Sequence, residues 1–129
     1  MLCNPVMPFS KQLFDSDLAV IDSESLCQNL GGDSILLAEL VAIYRDELPK
    51  DLRTIQSALD DRNAKALECI AHRLKGSLQV LGASCSALAA RVELDGRHGA
   101  IDAACVLQLI SSLAAVAPAL ESILGQGGI

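Results

Sequence analysis

The chain has 129 residues, a formal charge of −6, and a composition that is 51% hydrophobic but only 2% aromatic. That length makes one domain with a core of its own, built from Leu, Ile, Val and Ala, a mixture that favours packed helices over a sandwich. The acidic balance repels phosphate backbones and the basic residues are scattered, which argues against nucleic acid as a partner.

Met1–Phe9 has neither a basic start nor a long apolar run, so it is no signal peptide. The longest apolar stretches are broken by Ser, Gln or Pro well short of membrane length, and no membrane insertion is expected. Five cysteines, Cys3, Cys27, Cys69, Cys85 and Cys105, form no close pairs. They read as reduced thiols in the cytoplasm, mostly packing as small apolar groups.

Residues 1–20 carry Pro5 and Pro8, show no clear period, and read as an arm or linker. Residues 21–125 read as a helical bundle, and residues 126–129 as a frayed end. A first short helix starts at Asp22 or Ser23, uses Leu26 and Leu30 as its apolar edge, and ends at Gly31-Gly32. Asp33 caps a long helix with the stripe Leu37, Leu40, Val41, Tyr44, Leu48, Leu52, Ile55 and Leu59. Pro49 sits inside that stripe, so a kinked single rod is expected. Asp60-Asp61-Arg62-Asn63 forms a turn. A third helix runs from about Asn63 to Leu81, stopped by Gly82. Ser84 caps a fourth, with Cys85, Leu88 and Val92 inward, Gly96 as its stop and Arg97-His98-Gly99 as a loop. Asp102 begins the last helix, with the stripe Val106, Leu109, Ile110, Leu113, Ala117, Leu120 and Leu124, kinked or restarted at Pro118. Short connections make neighbours antiparallel. The expected fold is all-α: an up-and-down four-helix bundle with a short extra N-terminal helix across one end.

The third helix carries the chemistry. At about 100° per residue, Leu67, Ile70, Leu74, Leu78 and Leu81 fall on one side. Lys65, Glu68, His72, Lys75, Gly76 and Gln79 fall on the other. Free imidazole titrates near 6.5 (roughly), so an exposed histidine is a nucleophile at neutral pH. Lys75, one turn on, can neutralise phosphoryl oxygens, and Gly76 clears the approach at a cost of roughly 1 kcal/mol in helix propensity. Cys69 and His72 have metal-ligand spacing, but no second pair converges on them and no metal site is expected.

Ala71-His72, Leu74-Lys75-Gly76-Ser77 and Leu81-Gly82-Ala83 together resemble the signature of histidine-containing phosphotransfer domains, the relay proteins of two-component signalling. Leu30-Gly31-Gly32-Asp33 and the residues after it look like that family's entry into its second helix. The resemblance implies that His72 accepts a phosphoryl group from a receiver-domain aspartyl phosphate and passes it to a response-regulator aspartate. It implies no kinase site and no cofactor in this chain, with Mg2+ carried by the receiver. Partners would be the receiver of a hybrid sensor kinase, a response regulator, or both, with the chain a free monomer or the C-terminal module of a hybrid kinase. Val92-Glu93 and Gly96-Arg97 match a family pattern that gives Glu93 the task of orienting the imidazole. Glu93 lies one residue earlier than usual, so either the turn after Gly82 is shorter or that task is lost. Gln79 stands where the family keeps a small residue, and either bonds the phosphoryl group or narrows the docking face. Glu68, Cys69, Arg73 and Gln79 are the expected partner-binding residues. The rival readings are a helical interaction module without chemistry, the dimerising domain of a sensor kinase, and the phosphoacceptor domain of a chemotaxis-type kinase. Arg73-Leu74 after the histidine speaks against the second, and the third requires a kinase domain.

Overall fold

The computed structural model describes residues 20–125; the expected arm before Val20 and the expected frayed end at residues 126–129 lie outside them. Six helical segments follow in order: α1 (Ser23–Leu30), α2 (Ser34–Asp60), α3 (Ala64–Leu81), α4 (Ser86–Arg97), α5 (Ala103–Ala114) and α6 (Val116–Gly125). The four legs of an antiparallel bundle are α2, α3, α4 and the α5–α6 pair, with α1 packed on α3.

Local chemistry sets most boundaries. Asp22 accepts from the Glu24 and Ser25 backbone N–H groups and starts α1, and the Ser25 amide holds its carboxyl below the usual range. Gly31, at φ 64°, ends α1 in the left-handed region that glycine enters without strain. The chain then turns through 111° into α2, where Asp33 accepts from Ile35 and Leu36. As expected, α2 continues through Pro49 as one rod. Asn63 and Asp102 cap α3 and α5 in the same way.

Several boundaries differ from the sequence reading. The N-cap of α4 is Cys85, not Ser84, and its side chain makes no capping bond. Gly96 does not stop α4; the helix runs through it to Arg97, and His98 is the cap. The last leg restarts at Ala115, ahead of Pro118. Pro118 thereby sits in the first turn of α6, where no intrahelical N–H is needed. The restart also rotates the stripe, so α6 buries Val116, Ala119, Leu120 and Ile123 in place of Ala117 and Leu124. Taken as one stretch, Ala103–Gly125 is 23 residues long and holds an 18-residue window of mean hydropathy 1.9, long and apolar enough to cross a membrane by composition. As the sequence reading has it, Gln108, Ser111, Ser112 and Pro118 interrupt this stretch, and the helix itself breaks at Ala115. In the fold, its buried face packs against α2.

The core is leucine-rich, with Leu26, Leu37, Leu67, Leu74, Leu78, Leu81, Leu109, Leu113 and Leu120 almost fully enclosed. Cys85 and Cys105 join it, and burial pushes the Cys85 thiol up to about 11, which makes it a poor nucleophile. Cys69, in contrast, is exposed. The segment before α1 is pinned to the α3–α4 turn by a single antiparallel bridge between Ile21 and Ala83. Asp22 N–H donates to the Gly82 oxygen at 2.8 Å there.

Candidate functional site

Helices α3 and α4 share the most extensive contact in the bundle, and glycine lets them approach closely near Gly96. Gly82, at φ 70°, turns the chain out of α3. Near the other end of the pair, a Cβ on Gly96 would lie 2.7 Å from the Ala64 carbonyl oxygen and 3.0 Å from Glu68 Cβ. Only glycine allows α4 to lie that close to the first turn of α3. Glu93, one turn before Gly96, is carried into the seam and is 4% exposed.

The Glu93 carboxylate joins three cationic or ionisable groups. Its Oε2 lies 2.8 Å from His72 Nδ1 and 3.0 Å from an Arg97 Nη, and its Oε1 lies 2.7 Å from Lys75 Nζ. Hydrogen bonds from Lys75 and then His72 hold the Glu93 carboxyl below the usual carboxylate range, against the opposing effect of desolvation. An ionised carboxylate only accepts, so Nδ1 carries the proton and donates it. In the neutral ring the lone pair is then on Nε2, which has no hydrogen-bond partner among the described residues. The His72 side chain is 71% exposed, and with Glu68, Cys69, Glu93 and Arg97 it lines an open hollow of about 470 Å³. A second hollow of about 510 Å³, between α2 and the start of α3, holds Lys50, Arg53, Ser57 and Asn63 but no histidine or cysteine.

The other sequence-predicted residues divide into those at the hollow and those away from it. Cys69 stands one turn before His72 at its rim. Glu68 is less exposed than its helical face suggests and bridges Lys65 at 3.3 Å and Arg97 at 3.6 Å. Lys75 is partly covered because its ammonium turns onto Glu93, and its remaining protons are open to a further acceptor. A Cβ on Gly76 would meet nothing within 4 Å beyond its own helix backbone, so no packing among the described residues requires glycine there. Gln79 is exposed and does not line the hollow. Arg73 turns the other way, to α2, with Nη2 at 2.7 Å from Asp51 Oδ1.

Two residues of this constellation are absent from the sequence-based site. Arg97 reads as loop, yet it is the last helical residue and lies four after Glu93, a spacing that puts opposite charges side by side on a helix. Asp51 is buried on α2 at 4% exposure. The signal was present, since it falls three after Leu48 and four before Ile55, within the apolar stripe.

A phosphoryl group can be handled here: one imidazole nitrogen faces solvent, the other is anchored on a buried anion, and a cation sits beside them. The family model for the Hpt domain matches residues 39–126, well over half of the chain. The chain belongs to the Hpt domain family. Hpt domains are helical bundles that carry out histidine phosphotransfer in phosphorelays, with receiver domains of kinases and response regulators as their partners. The Hpt match takes in all of α3, α4 and α5, and so every residue of the hollow. Comparisons with curated proteins and with solved structures each give no match. Among the described residues of this Hpt domain, no group of three or more metal-ligating side chains converges.

Proposed function

We propose that His72 is the phosphoacceptor of this Hpt domain and that it relays a phosphoryl group between receiver aspartates. The observation that carries the reading is the exposed imidazole whose Nδ1 is bound at 2.8 Å to the buried Glu93 carboxylate. In the forward step the Nε2 lone pair attacks the phosphorus of a receiver aspartyl phosphate. The N–P bond forms as the acyl P–O bond breaks, and the aspartate leaves as its carboxylate. The proton stays on Nδ1, and the ring's new positive charge faces Glu93. In the second step the aspartate of a response regulator attacks the same phosphorus, and a neutral imidazole leaves. Such transfer depends mainly on positioning and charge neutralisation.

Glu93 acts as the orienting group for the ring, a role supported by its 2.8 Å bond to Nδ1 across the Gly82–Cys85 turn. Lys75, bridging Glu93 and an incoming phosphoryl oxygen, neutralises charge that the receiver's Mg2+ neutralises from the other side. Gly76 leaves room for the partner's active-site loops. Glu68, Cys69, Arg73 and Gln79 belong to the docking face, Gln79 at its margin. The domain is read as a cytoplasmic monomer, since one bundle closes its own core, in either a free protein or the C-terminal part of a hybrid kinase.

The test is phosphoryl transfer from a panel of phosphorylated receiver domains to the wild type and to His72→Gln. Acid-labile, base-stable label on the wild type alone is expected, with the variant's helix content and Tm nearly unchanged because the side chain is exposed. No label from any receiver or kinase in the panel would sink the relay and favour a helical interaction module. Lys75→Ala should slow transfer by about ten-fold without abolishing it, as expected for loss of one electrostatic contact; an unaltered rate would remove Lys75 from the mechanism.

A further inference from the structure

Among the described residues, the buried polar side chains are Asp51 and Glu93. Both are carboxylates, and both reach α3 beside His72 from neighbouring helices. Glu93 binds the histidine itself. Asp51, from α2, binds Arg73, the next residue, at 2.7 Å. Its position in the α2 stripe suits an apolar side chain, with Leu48 and Ile55 buried on either side. Only the Asp51 end of the pair is buried, and a guanidinium that is 56% exposed is hydrated with or without it, so the pair adds little to holding α2 on α3. Ring orientation does not require it either, because Glu93 already holds Nδ1. The rotation of α3 is set by its buried face of Leu67, Ile70, Ala71, Leu74, Leu78 and Leu81.

What the pair changes is the guanidinium. The Arg73 side chain is 56% exposed, yet one of its nitrogens is tied to an oxygen on a side chain only 5% exposed. The negative end of the pair lies inside, and the positive end faces out with its remaining donors open. Near His72, Lys75 and Arg97 both turn onto Glu93, whereas Arg73 stands on the opposite flank of α3. In a chain of net charge −6, a fixed outward cation there suits an acidic partner surface.

We infer that Asp51 is a positioning residue for partner recognition: it presents Arg73 as a preformed cationic contact for a carboxylate on the docking receiver. This rests on the relay reading above. Holding a long side chain in its bound conformation before docking removes an ordering cost from association.

The test uses the full chain and the receiver that labels it best, with transfer rates measured against receiver concentration. Asp51→Leu completes the apolar stripe and is expected to leave Tm equal or higher. Its half-saturating receiver concentration should rise by about three- to ten-fold, the size expected for losing one preorganised side chain, with the saturating rate within about two-fold. In an Arg73→Gln background the same change should have no further effect. An unchanged half-saturating concentration, a fall confined to the saturating rate, or a full effect persisting without Arg73 would each overturn the inference. Failure of the relay reading is recognised separately, by wild type that takes no label or by His72→Gln that takes it.

Discussion

A methyl group added at Gly76, on the outward face of α3, would meet no described atom beyond its own helix backbone within 4 Å, whereas one added at Gly96 would lie 2.7 Å from the Ala64 carbonyl oxygen. Both glycines sit inside helices, where glycine weakens the backbone. At Gly96 the compensation is internal: α4 approaches α3, and Glu93 is drawn into the seam beneath His72. At Gly76 no other described residue uses the space. The open space at Gly76 suits the proposed docking of a partner, whereas the glycine at the α3–α4 crossing serves the packing of the chain itself. Absence of a side chain has one meaning at a surface and another at a helix crossing, and only neighbouring atoms tell them apart.

The comparison can be broken by substitution. Gly96→Ala should cost about 1–3 kcal/mol, as overpacking does, because the contact is with backbone that cannot rotate away. Thermal unfolding would check this, and transfer should fall as well, since α4 carries Glu93. A stable, fully active Gly96→Ala protein would show that the crossing tolerates a side chain. Gly76→Ala should do the opposite. With open space around it, alanine should raise stability by about 0.5–1 kcal/mol, while the methyl group hinders the receiver and slows transfer. A Gly76→Ala protein that is more stable and equally fast would leave the glycine without a docking role.

A smaller effect sharpens the description of the seam. The Glu93 carboxyl is held below its ordinary 4.5 by Lys75 and His72. A carboxyl whose folded value is depressed contributes stability that is fully present above its unfolded value and is lost as pH falls through the folded one. The Tm difference between wild type and Glu93→Gln should thus be flat above about pH 5 and shrink as the pH falls below that. A difference that stays constant or widens on acidification would mean that the ionised form of Glu93 is not what the seam favours.

Much of the fold was legible because it rests on local rules. Asp22, Asp33, Asn63 and Asp102 stand at helix starts, and each accepts backbone N–H bonds there. Period and propensity identified the buried leucines of α3. Where the reading slipped, a local cue was taken for a global one. Gly96 resembled a helix stop, but the helix continues because the crossing demands glycine. Pro118 resembled the break, yet the break falls at Ala115 and Pro118 occupies the first turn beyond it.

The site divides in the same way. By itself the sequence determined that His72, Lys75 and Gly76 share one outward face of one helix, because helical spacing is a property of the chain alone. Whether Glu93 reaches His72, whether Arg97 joins it, and why an aspartate sits in the α2 stripe were decided by tertiary structure. Those relations cross between helices, and they depend on crossing distance and rotation set by packing. A one-residue difference in spacing could have turned Glu93 away. The close α3–α4 approach at Gly96 and the short turn after Gly82 bring its carboxylate to 2.8 Å from Nδ1 instead.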